Sequence, residues 1–312
     1  MAKNPIQFQK GLSLSEHFAL YSTEQQCHDA LFQARWPDGF SCPQCGNTTH
    51  CFINTRKVFQ CNSCHKQTSL TCGTIFDSTK LPLKTWFLAI YLLTQRKKSI
   101  SALQLMRDIG VSYNTAWSMK HKIMHVMHDH QRDDKLSGRI EMDDAYIGGE
   151  RAGKPGRGAD HKKPFIAAVQ TDDQAHPQKI HLRTVEGFRS RAIAEYARHS
   201  VTQGSLVISD GLSCFSGIEH VGLLHLKVRS GGGRKGAQNP NFKWVNTILG
   251  NVKNSITGTF HAISLKHVPR YLAEFEYRFN RRFALEQMTE RFIHVSVRTR
   301  PLPYRLLKLA EV

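Results

Sequence analysis

Four cysteines arranged as two Cys-x-x-Cys pairs constrain the fold of this chain more than any other feature. The pairs are Cys42-Pro-Gln-Cys45 and Cys61-Asn-Ser-Cys64, with fifteen residues between them. This spacing is typical of paired zinc sites, in which four thiolates bind one Zn²⁺ as a tetrahedron. Reduced or redox-active thiols are the alternative, and the four-cysteine spacing disfavours them. We therefore predict a zinc ribbon with Cys42, Cys45, Cys61 and Cys64 as the ligands of a structural Zn²⁺.

The distribution of the other cysteines indicates metal binding rather than secretion. Seven of the eight cysteines fall between residues 27 and 72, which is clustering around a metal site and not a disulfide framework. Four of the eight have no partner at ligand spacing and are expected to be small buried side chains: Cys27, Cys51, Cys72 and Cys214. His50 or His65 could replace a ligand, although surface histidines beside a ribbon are more common. The segments 51–54 and 57–61 are predicted to form its hairpin.

Length and charge narrow the class of protein. With 312 residues the chain is long enough for two or more domains. Its formal net charge of +18 and pI near 9.7 favour a nucleic-acid partner. A membrane is disfavoured because no run of about 18 apolar residues is present. The N-terminus has no apolar signal-peptide segment, so we expect a cytoplasmic protein.

Residues 81–130 have helical spacing: an apolar helical run at 83–93 is followed, from residue 99, by a predicted pair of helices. Ser101 can cap the first helix, Gly110 provides the turn, and a second helix follows. This order is typical of a helix-turn-helix. The candidate DNA-binding residues of the second helix are those whose side chains could reach base edges or phosphates: Asn114, Thr115, Lys120 and Lys122. An ordinary connecting pair of helices remains the alternative.

From Gly138 onward the apolar pattern changes to that of β-strands. Strands are predicted at 140–147, 164–171, 179–186 and 205–210, with a helix at 190–199 before the fourth. Asp143 lies in the middle of the first strand and Asp210 ends the fourth. This order is expected of a ribonuclease-H-like domain, in which the two strands are neighbours. An Asp within an apolar strand costs desolvation unless it is hydrogen-bonded or bound to a cation, so a metal site is predicted. A strand ending in a solvated Asp pair is the alternative.

The rest of the chain adds basic and helical segments. Two glycine-rich basic loops, at 151–158 and 230–236, do not match a nucleotide-binding loop and favour contacts with phosphates. A weakly helical segment at 242–253 has Asn246 and Lys253 near one face. A longer helix at 267–282 carries an apolar face and three arginines that are either phosphate contacts or solvated: Arg278, Arg281 and Arg282.

The candidate ligands and a set of short motifs follow one another in a fixed order. The spacing leaves 66 residues between Asp143 and Asp210 and 35 between Asp210 and Asn246. The motifs cover most of residues 37–282: the ribbon, Asp-Asp-Ala-Tyr-Ile-Gly-Gly at 143–149, Ile208-Ser-Asp-Gly211, Val245-Asn-x6-Lys253, Gly258-Thr-Phe-His261 and the segment from Tyr271 to Arg282. With these motifs the chain resembles the DDE superfamily of transposases, and more closely its IS1595 (ISXO2-like) family.

The resemblance implies a catalytic role for four residues. Asp143 and Asp210 would bind Mg²⁺, which Mn²⁺ could replace, with Asn246 at the third position and Lys253 following it. The first motif commonly reads Asp-Glu in the family, whereas Asp143-Asp144 stands here, and this change falls outside the ligand. The third position is Asn rather than Glu, which removes a negative charge. Glu274 and Glu276 are alternative third ligands, although the aromatic spacing there favours a packed helix with outward carboxylates.

The expected architecture is a multidomain α+β protein with a zinc ribbon, a helix-turn-helix-like segment and a C-terminal ribonuclease-H-like α/β catalytic domain. Its predicted divisions are an N-terminal helical segment (1–36), the ribbon (37–80), the DNA-binding helices (81–135), the catalytic domain (138–290) and a tail (291–312). In the first division, Ser22 and Gln25 are predicted to form a capping box.

The implied function is a transposase that binds the terminal inverted repeats of its insertion sequence. It would cleave and join double-stranded DNA, assembled on that DNA as a homo-oligomer. The alternatives are a zinc-ribbon DNA-binding regulator without catalysis and a ribonuclease-H-like nuclease or resolvase.

Overall fold

The computed structural model describes residues 9–131, 134–148, 161–229 and 239–310, and the chain divides into two units. The first unit joins Met1–Val126 to Phe283–Val312, and the second is Met127–Arg282. The predicted glycine-rich loops at 151–158 and 230–236 lie outside the described residues. Within the described part of the chain, no helix has the length and apolar character needed to cross a membrane.

Two capped helices open the first unit. They are α1 (Leu14–Tyr21) and α2 (Glu24–Arg35), and each begins with a capping box. The box of α2 joins Thr23 to Gln26, so the predicted pairing of Ser22 with Gln25 is wrong by one residue. Thr23 is the residue with extended backbone, which lets its side chain accept the N–H of Gln26 at 3.2 Å.

The ribbon is a small antiparallel sheet. Its strands are β1 (His50–Ile53), β2 (Val58–Cys61) and β3 (Gln67–Ser69), in the order β1-β2-β3. The first two confirm the predicted hairpin, and β3 adds a third strand. Phe59 on β2 is 5% exposed and packs against the rings of Phe32 on α2 and Phe40. The sheet is too small to bury much apolar surface, so these aromatic contacts and the cysteines stabilise it.

Three further helices follow the ribbon. They are α3 (Leu83–Gln95), α4 (Ala102–Ile109) and α5 (Tyr113–Asp129), whose last residues belong to the second unit. As predicted, the Ser101 side chain caps α4 by accepting the N–H of Gln104. Gly110 ends α4 with φ 68° and ψ 36°, a left-handed conformation that glycine adopts without steric cost. The predicted helix, glycine turn and helix are therefore confirmed.

The second unit is built on a five-stranded mixed sheet. Its strands are β4 (Arg139–Ile147), β5 (Lys163–Thr171), β6 (Pro177–Thr184), β7 (Leu206–Ser209) and β8 (Leu224–Lys227), in the order β6-β5-β4-β7-β8. β4, β5 and β6 are antiparallel neighbours, whereas β7 runs parallel to both β4 and β8. This is the ribonuclease-H-like arrangement that was predicted. The edge strand β8 was not predicted, because it has four residues and three of them are exposed.

Helices cover both faces of this sheet. On one face lie α6 (Ser190–Ser200) and a 3-10 helix, Ser213–Val221, packed on Ile140, Met142 and Val207. On the other lie α7 (Lys243–Phe260) and α8 (Val268–Asn280), packed on Ala145 and Ile147. Because side chains alternate along a strand, the odd-numbered residues of β4 face α7 and the even-numbered ones face α6.

The chain then returns to the first unit. The last helices are α9 (Met288–Ser296) and α10 (Tyr304–Leu309), and α9 packs against α2 and α3. Thr289 on α9 bonds Thr94 on α3 through their hydroxyls at 3.2 Å. The segment 291–312, expected as a tail, thus contains most of α9 and all of α10.

Candidate active site and zinc site

The pairing of β4 with β7 brings two aspartates together. The register aligns Glu141 with Ile208, and two further steps along these parallel strands set Asp143 beside Asp210. Oxygen atoms of Asp143, Asp144 and Asp210 all lie within 4.8 Å of one another. The predicted approach of Asp143 and Asp210 is therefore present in the structure. Asp144 joins the group although it was expected to fall outside the ligands.

Local hydrogen bonds orient these carboxylates. Asp143 Oδ1 accepts the N–H of Asp144 at 2.9 Å, and Asp210 Oδ1 accepts the N–H of Leu212 at 3.0 Å. Asp210 follows the last residue of β7, and Gly211 has φ 78°, which lets the chain turn away directly after the carboxylate. The sheet and one sharp turn thus fix the backbone on both sides of the group.

The electrostatics of the group favour a cation. Burial, followed by the charge of Asp144, raises the pKa of Asp143 from 3.8 to about 7, and the charge of Asp210 acts in the same direction. Lys253 lies close enough to oppose this shift. Three crowded carboxylates repel one another when ionised, and a hard cation with oxygen ligands removes that repulsion. The side chains present therefore fit a divalent metal.

Helix α7 carries the other two predicted catalytic residues. Its apolar side packs on the sheet through Val245, Ile248, Leu249 and Val252. Asn246, in the first turn, is half-buried, and Lys253, seven residues later, is exposed. Both lie on the helix that covers the Asp143 face of β4.

A chain of hydrogen bonds stiffens the strand end beside Asp210. The buried hydroxyl of Ser209 bonds Nε2 of His225 on β8 at 2.8 Å, and Nδ1 of His225 bonds Glu219 at 3.1 Å. Lys227 pairs with the same Glu219 oxygen at 2.8 Å. Burial lowers the pKa of His225. Ser209 is 0% exposed, so its hydroxyl is closed to a substrate, and the Ser-His-Glu series serves to tie β7 to β8.

The zinc site is formed by two matching turns of the ribbon. In each turn the residue four positions after the first cysteine closes the loop. These residues are Gly46 and His65, whose φ values of 72° and 57° are left-handed. The N–H of Gly46 bonds Cys42, and the N–H of His65 bonds Cys61, through the cysteine carbonyls at 2.9 and 3.1 Å. The two turns therefore present their sulfur atoms in the same way.

The four sulfur atoms form one cluster. Cys42 Sγ is 3.5 Å from Cys64 Sγ, Cys45 Sγ is 3.5 Å from Cys61 Sγ, and all four lie within 4.8 Å. A tetrahedral site with Zn–S bonds of about 2.3 Å needs sulfur atoms about 3.8 Å apart. The N–H of Cys64, with help from Asn47, lowers the pKa of Cys61 to about 6, which favours the thiolate that binds a metal. The cluster fits structural zinc.

Comparison with known families agrees with both sites. The model of the ISXO2-like transposase domain of IS1595 matches residues 135–280, and that of the IS1595 transposase zinc-ribbon domain matches residues 22–67. Together these two models of one family match more than half of the chain. The chain belongs to the IS1595 family of transposases.

One curated relative of this IS1595-family chain is an uncharacterized protein in transposable element ISH50 of Halobacterium salinarum. It is 31% identical over 143 residues, which are 45% of the chain and 46% of the relative. The match thus spans about half of the relative's length.

Two solved structures also align with this IS1595-family chain. They are a pre-cleavage Mos1 transpososome and a Mos1 transposase paired-end complex with the left transposon end. Each alignment covers 68% of the chain, and 78% and 79% of the respective solved chains. Identities of 12% and 11% and TM-scores of 0.25 and 0.18 are too low to carry an inference.

The alternative third ligands of the IS1595-family chain lie elsewhere. Glu274 and Glu276 on α8 are 1% and 0% exposed, so the expectation of outward carboxylates is wrong. Glu276 Oε2 accepts the N–H of Leu182 at 2.8 Å and pairs with Arg183, while Glu274 lies 3.7 Å from Arg278. Neither joins the aspartate cluster among the described residues. The aromatic spacing around these residues identified the helix correctly, but not that its carboxylates pair with arginines inside the fold.

The three arginines near the end of α8 are also held by protein groups. Arg282 donates to the carbonyls of Gln178 and Phe279 at 3.0 and 2.8 Å, and burial lowers its pKa to about 10. Arg281 stacks on the ring of Tyr277 at 3.8 Å. The two roles expected for these arginines, phosphate contact or solvated side chain, therefore omitted a third, which is contact with groups of the protein itself.

The candidate DNA-binding residues of α5 differ in exposure. Asn114 is exposed, and with Thr115 it lines a cleft of about 380 Å³ in the first unit. Lys120 is 1% exposed, so its expected contact with DNA is corrected: the helix turns this position inward. Lys122 lines the cleft half-buried, where Nζ donates to the Ile75 carbonyl at 3.3 Å and burial lowers its pKa.

The other cysteines and the two histidines near the ribbon lie outside the zinc site. Cys27 and Cys214 are buried as expected, but Cys51 and Cys72 are exposed, so that expectation is wrong for these two. Neither His50 nor His65 joins the four-cysteine group. His50 instead packs its ring against Phe40, with centroids 4.6 Å apart.

Proposed function

We propose that this chain is a DDE-type DNA transposase that binds the terminal inverted repeats of its own insertion sequence and catalyses Mg²⁺-dependent strand cleavage and strand transfer. One observation carries the proposal. Carboxylate oxygens of Asp143 and Asp144 on β4 and of Asp210, which directly follows the parallel strand β7, lie within 4.8 Å of one another. Membership of the IS1595 family supports the same reaction class.

The proposed metal ligands are Asp143 and Asp210, with the Asn246 amide at the third position. Mg²⁺, or Mn²⁺ in its place, would act there as a Lewis acid for in-line phosphoryl transfer. The residues themselves supply a fixed set of oxygen donors on a rigid sheet. Asn246 can offer a carbonyl oxygen but no charge, which makes its contribution weaker than that of a glutamate.

Lys253 is proposed to bind a phosphate of the DNA. It is exposed on α7 and acts on the pKa of Asp143, so its charge reaches the aspartate group. A cation at this position holds a phosphodiester near the carboxylates that would otherwise repel it. Correct orientation of the phosphodiester is itself a large part of the catalysis of phosphoryl transfer.

Double-stranded DNA is the proposed partner of both units. The formal net charge of +18 attracts a polyanion, and the zinc ribbon and the helix pair α4–α5 are the candidate end-binding elements. Zn²⁺ would stabilise the ribbon and take no part in the reaction. An insertion sequence has two ends that must both be cut and transferred, which favours a homo-oligomer on the DNA.

The proposal is tested by incubating the protein with Mg²⁺ and the DNA that flanks its own gene, then mapping cleaved and joined ends. Asp143→Asn and Asp210→Asn should each abolish cleavage and joining while end binding survives, because each removes a ligand at nearly constant size. The matched control is Asp173→Asn, an exposed aspartate in the turn between β5 and β6, which should remain active.

The result separates the alternative functions. End binding without metal-dependent cleavage by the parent protein would identify a DNA-binding regulator and overturn the enzymatic proposal. Cleavage without any joined product would identify a nuclease or resolvase. Nicking retained by Asp143→Asn or Asp210→Asn would reject the assigned ligands.

A further inference from the structure

Glu141 is a buried carboxylate in the second unit that lies close to the aspartate group without joining it. It lies on β4, is 1% exposed, and is absent from the carboxylate group of Asp143, Asp144 and Asp210 found among the described residues. Burial of an ionised carboxylate is costly unless every oxygen is paired. The partners of Glu141 therefore indicate why the residue is there.

Both oxygens of Glu141 are engaged by the protein. Oε1 accepts from Arg139 Nη1 at 3.0 Å, and Oε2 accepts the N–H groups of Trp244 and Val245 at 2.8 and 3.1 Å. Arg139 is held in turn by the hydroxyl of Thr171 at 3.1 Å. With its oxygens occupied in this way, Glu141 is an anchor for other groups and not a metal ligand.

The anchored groups belong to the first turn of α7. The first N–H groups of a helix have no partner within the helix, and the N-cap residue here, Phe242, provides no side-chain hydrogen bond. Glu141 takes over that role from the neighbouring strand. Its negative charge also interacts favourably with the positive end of the helix dipole.

This anchor links two parts of the proposed active site. Glu141 and Asp143 are two residues apart on one strand, so both side chains lie on the face that α7 covers, about 7 Å apart along the strand. Asn246 directly follows Val245, one of the two residues whose N–H groups Glu141 holds. One rigid strand thus carries both the Asp143 ligand and the contact that fixes the start of the Asn246 helix.

We propose that Glu141 is a positioning residue that sets the distance of the Asn246 side chain from Asp143 and Asp210. The inference rests on the proposed function, since it acts through the metal ligands assigned there. A displacement of about 1 Å at a reacting group can cost about 100-fold in rate, so the fixed start of α7 matters for the chemistry.

The test measures Mn²⁺ binding to the full-length, DNA-free protein by electron paramagnetic resonance. Glu141→Gln keeps the side-chain size but loses the charge that holds Arg139 and the helix N–H groups. It should lower Mn²⁺ affinity about tenfold or more, as substitutions that misplace a ligand do. Amide hydrogen exchange at Trp244 and Val245 should accelerate in the same variant.

The matched control is Glu276→Gln. Glu276 is also fully buried, pairs with an arginine, and accepts a backbone N–H, but it joins α8 to β6 and not α7 to β4. It should lose stability in thermal unfolding as Glu141→Gln does, yet bind Mn²⁺ like the parent. Equal Mn²⁺ affinity in the parent and in Glu141→Gln, or an equal loss in both variants, would overturn the proposal.

A double variant separates this inference from the proposed function. In an Asn246→Ala background, Glu141→Gln should cause little further loss of Mn²⁺ affinity, because the group it positions is gone. If Asn246→Ala alone leaves Mn²⁺ binding unchanged, the third ligand of the proposed function is wrong and Glu141 loses its role with it. If Asn246→Ala weakens binding and the two losses simply add, only the Glu141 inference fails.

A second variant keeps the test decisive if Glu141→Gln does not fold. Arg139→Met leaves the Glu141 carboxylate on the helix N–H groups but removes the guanidinium that orients it. A smaller loss of Mn²⁺ affinity is expected, again absent in the Asn246→Ala background. Parent-like Mn²⁺ affinity in folded Arg139→Met would count against the anchor.

Discussion

The protonation of Asp143 couples the proposed metal site to the stability of the chain. Burial and the neighbouring Asp144 raise the pKa of Asp143 from 3.8 to about 7. At a pH between these two values, the native state therefore keeps a proton on Asp143 that the unfolded chain has already lost. The resulting stabilisation is fully present below about pH 4 and is lost as the pH rises through about 7, with an upper limit of about 4 kcal/mol.

We expect the metal-free protein to lose stability between pH 4 and pH 7 in a way that Asp143→Asn removes, because the amide does not titrate. Urea unfolding of the parent and of Asp143→Asn across this range measures the difference. Mg²⁺ should stabilise the parent more at pH 8 than at pH 5, since a proton competes with the ion for Asp143. Identical pH profiles for the two proteins would contradict the buried, titrating Asp143.

Asn246 provides a second prediction at this scale, because a neutral side chain occupies the third position. Asn246→Ala should lower cleavage at least about tenfold, while Asn246→Glu should keep activity and reduce the Mg²⁺ concentration needed, since a carboxylate binds Mg²⁺ more strongly than an amide. Cleavage rates over a Mg²⁺ titration measure both effects.

The control for Asn246 uses the rejected candidates on α8. Glu274→Gln should destabilise the protein through its arginine pair but keep the same Mg²⁺ requirement in whatever fraction folds. A fully active Asn246→Ala together with a folded, inactive Glu274→Gln or Glu276→Gln would move the third ligand to α8.

At the scale of elements, the zinc ribbon is a sheet whose strands are too short to be stable alone. The second turn places His65 at φ 57°, a left-handed conformation that costs a non-glycine residue energy. Zinc coordination by the four sulfur atoms would supply the free energy that holds this turn. The stability of the ribbon should therefore depend on bound zinc, in addition to the aromatic contacts around Phe59.

We predict one Zn²⁺ per chain, with Cys61→Ser losing it and unfolding the ribbon. Cys51→Ser is the matched control, because Cys51 lies on the neighbouring strand, is exposed and is outside the cluster. Metal analysis and the near-ultraviolet circular dichroism of the aromatic cluster report the two effects. Zinc content equal to the parent in Cys61→Ser would refute the ligand set.

Elements with strong periodicity could be predicted from the sequence, and contacts between elements could not. The apolar residues around Asp143 predicted β4, and the cap at Ser101 with the turn at Gly110 predicted the α4–α5 pair. Both elements depend on local backbone preference. The edge strand β8 is too short and exposed to show a pattern. The roles of Asp144 and Glu141 depend on strand register and on a helix 103 residues away in sequence from Glu141, which no local signal encodes.

For the whole molecule, the excess of basic residues is the dominant physical property. The chain has 43 Lys and Arg against 25 Asp and Glu, yet several of these cations are used inside the fold. Lys122 donates to one backbone carbonyl and Arg282 to three, so their sequence positions alone overstate the surface available for DNA. Exposed residues such as Asn114 and Lys253 are the better probes of DNA binding.

These two probes should affect DNA binding differently. Binding to the element ends should fall steeply with salt, because phosphate neutralisation releases counterions. Lys253→Ala should weaken binding to all sequences and reduce the slope of log K against log salt by about 1, as loss of one phosphate contact does.

Asn114→Ala should weaken binding to the element ends alone and leave the slope unchanged, because the amide is neutral. Fluorescence anisotropy with end and scrambled duplexes over a salt series measures both, and end binding unchanged in Asn114→Ala would transfer sequence recognition from α5 to the ribbon.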